Sequence, residues 1–187
     1  MSGALIAPTA RARFVVTLPP EPSRISEQLR AVAGASYTTL TATNDAFVHL
    51  ARRAKQRLVI LSPYMDAAGA TWAAELFENT QADARILVMR GVDQLGACGR
   101  AGERVRAGAT QILDYAFLTN DEAGREVLET FHAKIVLADG VAAYVGSANF
   151  LYRSREMNLE CGVLLEGDAV APVGVLVAAV LAMFDPN

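Results

Sequence analysis

Two side chains that could attack and neutralise a phosphate stand two residues apart in the apolar run 131–139. The imidazole of His132, when neutral, has a lone pair that can attack phosphorus and form a covalent phosphohistidine. The ammonium group of Lys134 can neutralise the phosphate oxygens. In a strand, side chains two residues apart point to the same face. The run therefore predicts a site for an anionic phosphate.

A tight turn and a second apolar run are predicted to bring two more polar groups to the same place. Asp139-Gly140 is a strong signal for a hairpin turn, and the run that follows it ends at Gly146. The hydroxyl of Ser147 and the amide of Asn149 come next, close to where the first strand began. We expect both to donate hydrogen bonds to phosphate oxygens, whereas Asp139, at the turn, is expected to hold backbone groups.

These residues resemble the signature of the phospholipase D superfamily, H-x-K-x4-D followed by G-S-x-N. Every element of that signature is present: His132, Lys134, Asp139, Gly146, Ser147 and Asn149. The resemblance is close over residues 131–166 and looser back to about residue 57. It implies phosphoryl-transfer chemistry on a phospholipase D-like fold with one copy of the motif per chain.

Charged residues after the motif are candidates for positioning and for substrate binding. Glu160 falls where the family carries an acidic or amide residue that orients the histidine, so we expect it to accept a hydrogen bond from the second ring nitrogen of His132. Arg153 and Arg155 are the predicted substrate contacts. Two other basic groups are more typical of solvated helix faces: Arg52, Arg53, Lys55 and Arg57, and Arg100, Arg104 and Arg106.

A second imidazole is needed to protonate the leaving group and then to activate water, and one chain does not supply it. The only other histidine, His49, lies in a predicted helix without a nearby lysine or G-S-x-N, so a structural role is favoured. Larger superfamily members carry two copies of the motif and build one site between them. The single copy here implies a two-fold homodimer in which two His132 side chains face each other, one as nucleophile and one as general acid and then base.

Composition limits the other functions that the chain could have. Its 187 residues are 52% apolar, which is sufficient for one packed domain. Two cysteines without C-x-x-C spacing and two histidines do not form a zinc cluster, so neither a metal nor a cofactor is predicted. A net charge of −3 and a pI near 5.4 argue against binding nucleic acid by bulk charge.

The flanking pattern predicts an α/β domain whose mixed β-sheet is flanked by helices on both faces. Helices are expected at 23–33, 44–56, 70–79 and 96–107, strands at 58–61, 86–89, 110–115 and 157–165, a hairpin at 131–147 and a buried helix within 169–184. Residues 1–40, rich in Pro, Ser and Thr, are predicted to be an arm or short helical extension, and residues 41–187 the catalytic domain. Tyr64, Trp72 and Tyr152 could stack on a base, although core packing is favoured for Trp72.

Three functions remain open at this point. The leading hypothesis is a metal-independent phosphodiesterase that acts on DNA or RNA at a site shared across a homodimer. The first alternative is a phospholipase D or phosphatidyl transferase that acts on phospholipid. The second is an accessory subunit of a bacterial anti-phage or helicase-associated complex, docked through the N-terminal arm. No signal-like segment begins the chain, which predicts a cytoplasmic protein without stable membrane insertion.

Overall fold

A seven-stranded mixed β-sheet is the centre of the computed structural model, which describes residues 10–34 and 40–185. In chain order the strands of these residues are β1 (Arg11–Thr17), β2 (Arg57–Leu61), β3 (Ala84–Met89), β4 (Gln111–Asp114), β5 (Ala116–Asn120), β6 (Glu126–Thr130), β7 (Ile135–Ala138), β8 (Ala142–Gly146) and β9 (Glu160–Glu166). The large sheet has the order β1-β9-β8-β7-β2-β3-β4, and β5 and β6 form a separate hairpin. Strands β2, β3 and β4 are parallel, and the other pairs are antiparallel.

Helices cover both faces of this sheet. They are α1 (Arg24–Ala33), α2 (Thr43–Arg53), α3 (Ala67–Asn79), α4 (Gln94–Ala97), α5 (Arg100–Gly108), α6 (Tyr152–Glu156) and α7 (Ala171–Ala182) in the described parts of the chain. Alternate residues of β2 serve two separate cores: Leu58 and Ile60 pack with α2 and α3, whereas Val59 and Leu61 pack with α7. This confirms the predicted α/β class. It also explains why the central strands are apolar at every position.

The turn between β7 and β8 is held by the Asp139 side chain. Both Asp139 (φ 53°) and Gly140 (φ 70°) are left-handed, as a tight two-residue hairpin requires. The Asp139 carboxylate accepts the backbone N–H groups of Lys55 at 2.8 Å, Gln56 at 3.0 Å and Arg57 at 2.7 Å. The turn is thereby joined to the start of β2, next to β7 in the sheet.

Several elements differ from the sequence prediction. Within residues 1–40, β1 pairs with the whole of β9 and forms an edge of the large sheet, although no strand was predicted there. The β5–β6 hairpin was also missed, and the helix predicted at 96–107 is divided into α4 and α5 at Gly99. Edge strands and exposed hairpins bury little apolar surface, so their sequences have no strong pattern.

Helix α7 is less buried than predicted. Val177 and Val180 pack on the sheet, but Val175 is 71% exposed and Leu176 is 51% exposed. A helix that is apolar on all sides does not indicate which side faces the core, and only one side does. No helix in residues 10–34 and 40–185 combines the length and apolar character needed to cross a bilayer.

Replacing Asp139 by Asn should destabilise the protein in a pH-dependent way. Burial opposes the charged carboxyl, but the three N–H donors and the charge of Arg57 outweigh it and hold the pKa of Asp139 below its ordinary value. A carboxyl with a lowered pKa stabilises the fold above its unfolded pKa of about 3.9, and this stability is lost as the pH falls through the folded pKa. We expect Asp139→Asn to lose about 1–2 kcal/mol at neutral pH, measured by urea unfolding.

The same difference should shrink in acid, where the wild-type carboxyl is also uncharged. Asp83→Asn, at an exposed loop position, is the matched control and should unfold like the wild type. A stability difference between wild type and Asp139→Asn that stayed constant down to the acid limit would contradict the assigned role of the charge.

Candidate active site

His132 and Lys134 are in direct contact. Both stand in the segment that leads into β7, where His132 is exposed and Lys134 is only 7% exposed. The Nζ of Lys134 lies 2.6 Å from His132 Nδ1 and 2.8 Å from the backbone oxygen of His132. The structure therefore brings together the two side chains that their two-residue spacing predicts on one face of a strand.

Burial sets the protonation behaviour of this lysine. It lowers the pKa of Lys134, and the negative charge of Glu160, itself 6% exposed, opposes that shift without cancelling it. When Lys134 donates to Nδ1, that nitrogen must carry a lone pair, so a neutral ring then holds its proton on Nε2. Lys134 Nζ, which is also hydrogen-bonded to the backbone oxygen of His132, thus occupies Nδ1, the ring nitrogen nearest to it.

Glu160 contacts the G-S-x-N loop instead of the histidine. The Ser147 hydroxyl donates to Glu160 Oε2, and Asn158 Nδ2 donates to Glu160 Oε1 at 3.3 Å. Among the residues that the structure describes, Glu160 makes no hydrogen bond to His132, so the expected orienting contact is absent from the single chain. The physical reason is the sheet register: β8 and β9 are neighbours, which puts Ser147 beside Glu160.

The loop after β8 is positioned by a close backbone approach at Gly146. Its N–H donates to the Lys134 oxygen at 3.2 Å, which joins the two halves of the motif. A Cβ at Gly146 would lie 2.2 Å from the Tyr144 hydroxyl and 2.6 Å from the Cys161 oxygen, so no larger residue fits there. Burial raises the pKa of Tyr144 to about 12, so the hydroxyl that fills this space stays protonated.

Asn149 places an uncommitted amide in the same loop. Its Oδ1 is buried, and no hydrogen-bond partner for it is found in the described chain. An unpaired buried amide oxygen is costly, which is typical of a group that is satisfied only in a complex. Asn149 Oδ1 is therefore available to a hydrogen-bond donor on a bound group.

A buried serine, which the sequence analysis missed, joins this loop to the end of β2. The Ser62 hydroxyl donates to the backbone oxygen of Tyr64 at 2.9 Å and accepts a hydrogen bond from the backbone N–H of Phe150 at 3.1 Å. Tyr64 is thereby held next to the site, where its ring meets that of His132 edge-on at a centroid distance of 5.7 Å. A lone serine after a strand is too common a feature to reveal such a role.

The two arginines predicted to bind substrate differ in placement. Arg155 forms ion pairs with Glu75 and Glu156, each at 3.3 Å, and its guanidinium lies 5.4 Å from the centre of the Trp72 ring. In the single chain it is therefore engaged in packing against α3. Arg153 is exposed, on the same short helix.

His49 is remote from the motif, as expected. Its Nε2 lies 3.2 Å from Glu166 Oε1, at the end of β9 opposite to Glu160. A seven-residue strand separates the two glutamates by roughly 20 Å. Cys161, the neighbour of Glu160, is exposed, whereas Trp72 is a core residue, as favoured from the sequence.

A histidine and lysine in contact, a G-S-x-N loop tied to them, and a mixed sheet covered on both faces define a phospholipase D-like domain. The chain belongs to this family: the family model described as "Cardiolipin synthase, PLD-like domain" matches residues 47–173, more than half of the chain. No curated protein matches the chain.

Two solved structures share the fold of this chain at low sequence identity, and a third is similar over most of its length. NucT from Helicobacter pylori is 11% identical with a TM-score of 0.54, and the match covers 93% of this chain and 97% of that one. Phosphatidylserine synthase from Haemophilus influenzae Rd KW20 is 13% identical with a TM-score of 0.51, covering 91% of this chain and 38% of that one. The phospholipase D family member Nuc from Salmonella typhimurium is 15% identical with a TM-score of 0.45, covering 90% of each chain.

The lowered pKa of Lys134 can be measured directly, because the chain has only one other lysine, Lys55. In a ¹³C NMR titration of the lysine Cε resonances, assigned with Lys55→Arg, Lys134 should titrate below the ordinary lysine value of about 10.4. Glu160→Gln should lower this pKa further, since the Glu160 charge raises it. Glu103→Gln, an exposed position on α5, is the matched control. A pKa at or above the ordinary value, or no response to Glu160→Gln, would contradict this electrostatic arrangement.

Proposed function

We propose that the protein is a metal-independent phosphodiesterase that cleaves DNA or RNA through a covalent phosphohistidine on His132. The observation that carries the proposal is the buried Lys134 ammonium held against the His132 imidazole, within a complete family motif. A nucleophile and a charge that neutralises the phosphate are thereby positioned before substrate arrives.

The first step is the displacement of Lys134 from His132. An entering phosphate offers Lys134 Nζ an anionic oxygen, which is a stronger acceptor than an imidazole nitrogen. This frees Nδ1, and the amide N–H of Asn149 can donate to a remaining oxygen. The Ser147 hydroxyl, whose proton goes to Glu160, holds the loop in place. A nitrogen of His132 then forms a bond to phosphorus as the bond between phosphorus and the leaving oxygen breaks.

The second imidazole must come from another copy of the chain. The leaving oxygen takes a proton from the partner's His132, which then removes a proton from water as that water attacks phosphorus and releases His132. His49 is unsuited to this role because it is hydrogen-bonded to Glu166 at the other end of β9. A homodimer with two facing His132 residues is therefore part of the proposal.

The exposed ring of Tyr64 beside His132 favours a nucleic acid substrate. A tyrosine that is 37% exposed next to the reacting group offers a face on which a base can stack. Phosphatidyl transfer is the second candidate, and the family description, which names cardiolipin synthase, is the observation that favours it.

A substrate panel with chelator present separates these candidates. Purified protein should cleave a labelled oligonucleotide and hydrolyse bis(p-nitrophenyl) phosphate equally well with and without EDTA, and should leave phospholipid vesicles intact. Loss of activity in EDTA would contradict the mechanism, and turnover of vesicles alone would favour the second candidate.

Lys134→Ala should lower kcat for the oligonucleotide by about 10²–10³-fold, as expected for removal of a group that stabilises transition-state charge.

Mixed dimers test the shared site. Heterodimers of wild type and His132→Ala, purified through two different tags, should be nearly inactive because each site then lacks one imidazole. Retention of about half of the wild-type activity would show that each chain has its own complete site. Rapid quenching in alkali during turnover should capture a phosphoramidate on wild-type protein and none on His132→Ala.

A further inference from the structure

An arginine outside the family motif is held against Tyr64, the residue whose ring contacts His132. The Tyr64 hydroxyl accepts a hydrogen bond from Arg90 Nη1 at 3.1 Å, and Arg90 Cζ lies 6.0 Å from the centre of the Tyr64 ring. The same ring is the one that meets His132 edge-on. Tyr64 therefore contacts both the imidazole and the guanidinium.

One glutamine fixes the two loops that carry this pair. Gln94 Oε1 accepts the N–H of Met65 at 3.1 Å, on the Tyr64 side. Its Nε2 donates to the backbone oxygen of Pro63 at 3.3 Å, in the same loop as Tyr64. It also donates to the backbone oxygen of Gly91 at 3.1 Å, next to Arg90. A single amide side chain thus bridges the loop after β2 and the loop after β3, so the position of Arg90 relative to His132 is part of the fold.

The charge of Arg90 is not neutralised by an acid. Across residues 10–34 and 40–185, no carboxylate lies within 4.0 Å of its guanidinium, although Arg104, Arg125 and Arg155 each have such a partner. Asp114, on the neighbouring strand β4, instead accepts the backbone N–H groups of Gly91 at 2.8 Å and Val92 at 3.1 Å. A guanidinium has five N–H donors, and the phenol uses one, so most remain for an anionic ligand.

We propose that Arg90 binds the phosphate next to the scissile one on a nucleic acid strand, and that Tyr64 stacks on the base between the two. This inference rests on the proposed function and specifies its substrate as a chain of repeated phosphates. A nucleic acid strand carries one phosphate per nucleotide, so a second cation beside the reaction centre finds a partner. The exposed Tyr64 ring, which contacts both His132 and Arg90, fits a base, which cardiolipin lacks.

Substitution of Arg90 tests the proposal on two substrates. Arg90→Gln should raise KM for a labelled oligonucleotide about tenfold more than KM for bis(p-nitrophenyl) phosphate, which has one phosphate and no neighbour. On single strands the slope of log KM against log salt should decrease by about 0.7, the change expected for one lost phosphate contact. Arg90→Lys, which keeps the charge, should recover part of the loss. Tyr64→Phe keeps the ring and removes the hydroxyl that holds the guanidinium, so it should raise KM for the oligonucleotide less than Arg90→Gln does.

Arg52→Gln is the matched control. It removes the same charge from an exposed position near the end of α2, on the side of the sheet where β2 begins. It should leave both KM values and the salt dependence unchanged. An equal effect of Arg90→Gln on the two substrates, an unchanged salt slope, or an effect confined to turnover of cardiolipin vesicles would overturn the proposal.

A binding measurement separates this inference from the proposed function. In a His132→Ala background, fluorescence anisotropy of a labelled oligonucleotide should show about tenfold weaker binding when Arg90→Gln is added. This result supports the subsite even if the wild type cleaves no phosphodiester, an outcome that would contradict only the proposed function. Unchanged binding overturns the subsite even if cleavage is observed.

Discussion

The contact between the Lys134 ammonium and the His132 imidazole is the interaction on which the candidate site depends. An ammonium in a largely buried position is unfavourable unless polar groups and opposite charge surround it. Here the imidazole and a backbone oxygen accept its hydrogen bonds, and Glu160 supplies a negative charge nearby. The lysine is therefore kept close to the imidazole that we propose as the nucleophile.

The rest of the site follows from how the sheet ends are joined. Asp139 fixes the hairpin turn at one end of β7, and the segment before β7 carries the histidine and lysine at the other. At that second end, Ser62 ties the loop after β2 to the loop after β8, and Gly146 brings the latter onto the Lys134 backbone. Rigid strands thus position side chains that stand on short loops, which is how precise sites are commonly built.

The hydrogen bonds of Glu160 differ from the one to His132 that the resemblance implies. Its oxygens hold Ser147 and Asn158, and its charge acts on Lys134 from a distance. Removal of this carboxylate would therefore disturb the loop and the lysine together. In the single chain, the imidazole is positioned by Lys134 and by the edge of the Tyr64 ring.

The motif, the α/β class and the central strands could all be predicted from the sequence, because each of them is a local signal. The Asp-Gly turn is set by backbone conformation, and the apolar runs of β2 and β3 by burial on both faces. The residues that contact His132 and its neighbour Tyr64, in contrast, depend on how distant segments pack together. Tyr64 follows β2, whereas Arg90 and Gln94 follow β3. The two segments lie at the same end of the sheet because β2 pairs with β7 of the hairpin and β3 pairs with β2. The engagement of Arg155 with α3 and of Glu160 with Ser147 has the same origin, since contacts between distant parts of a chain depend on packing and register, which no local pattern encodes.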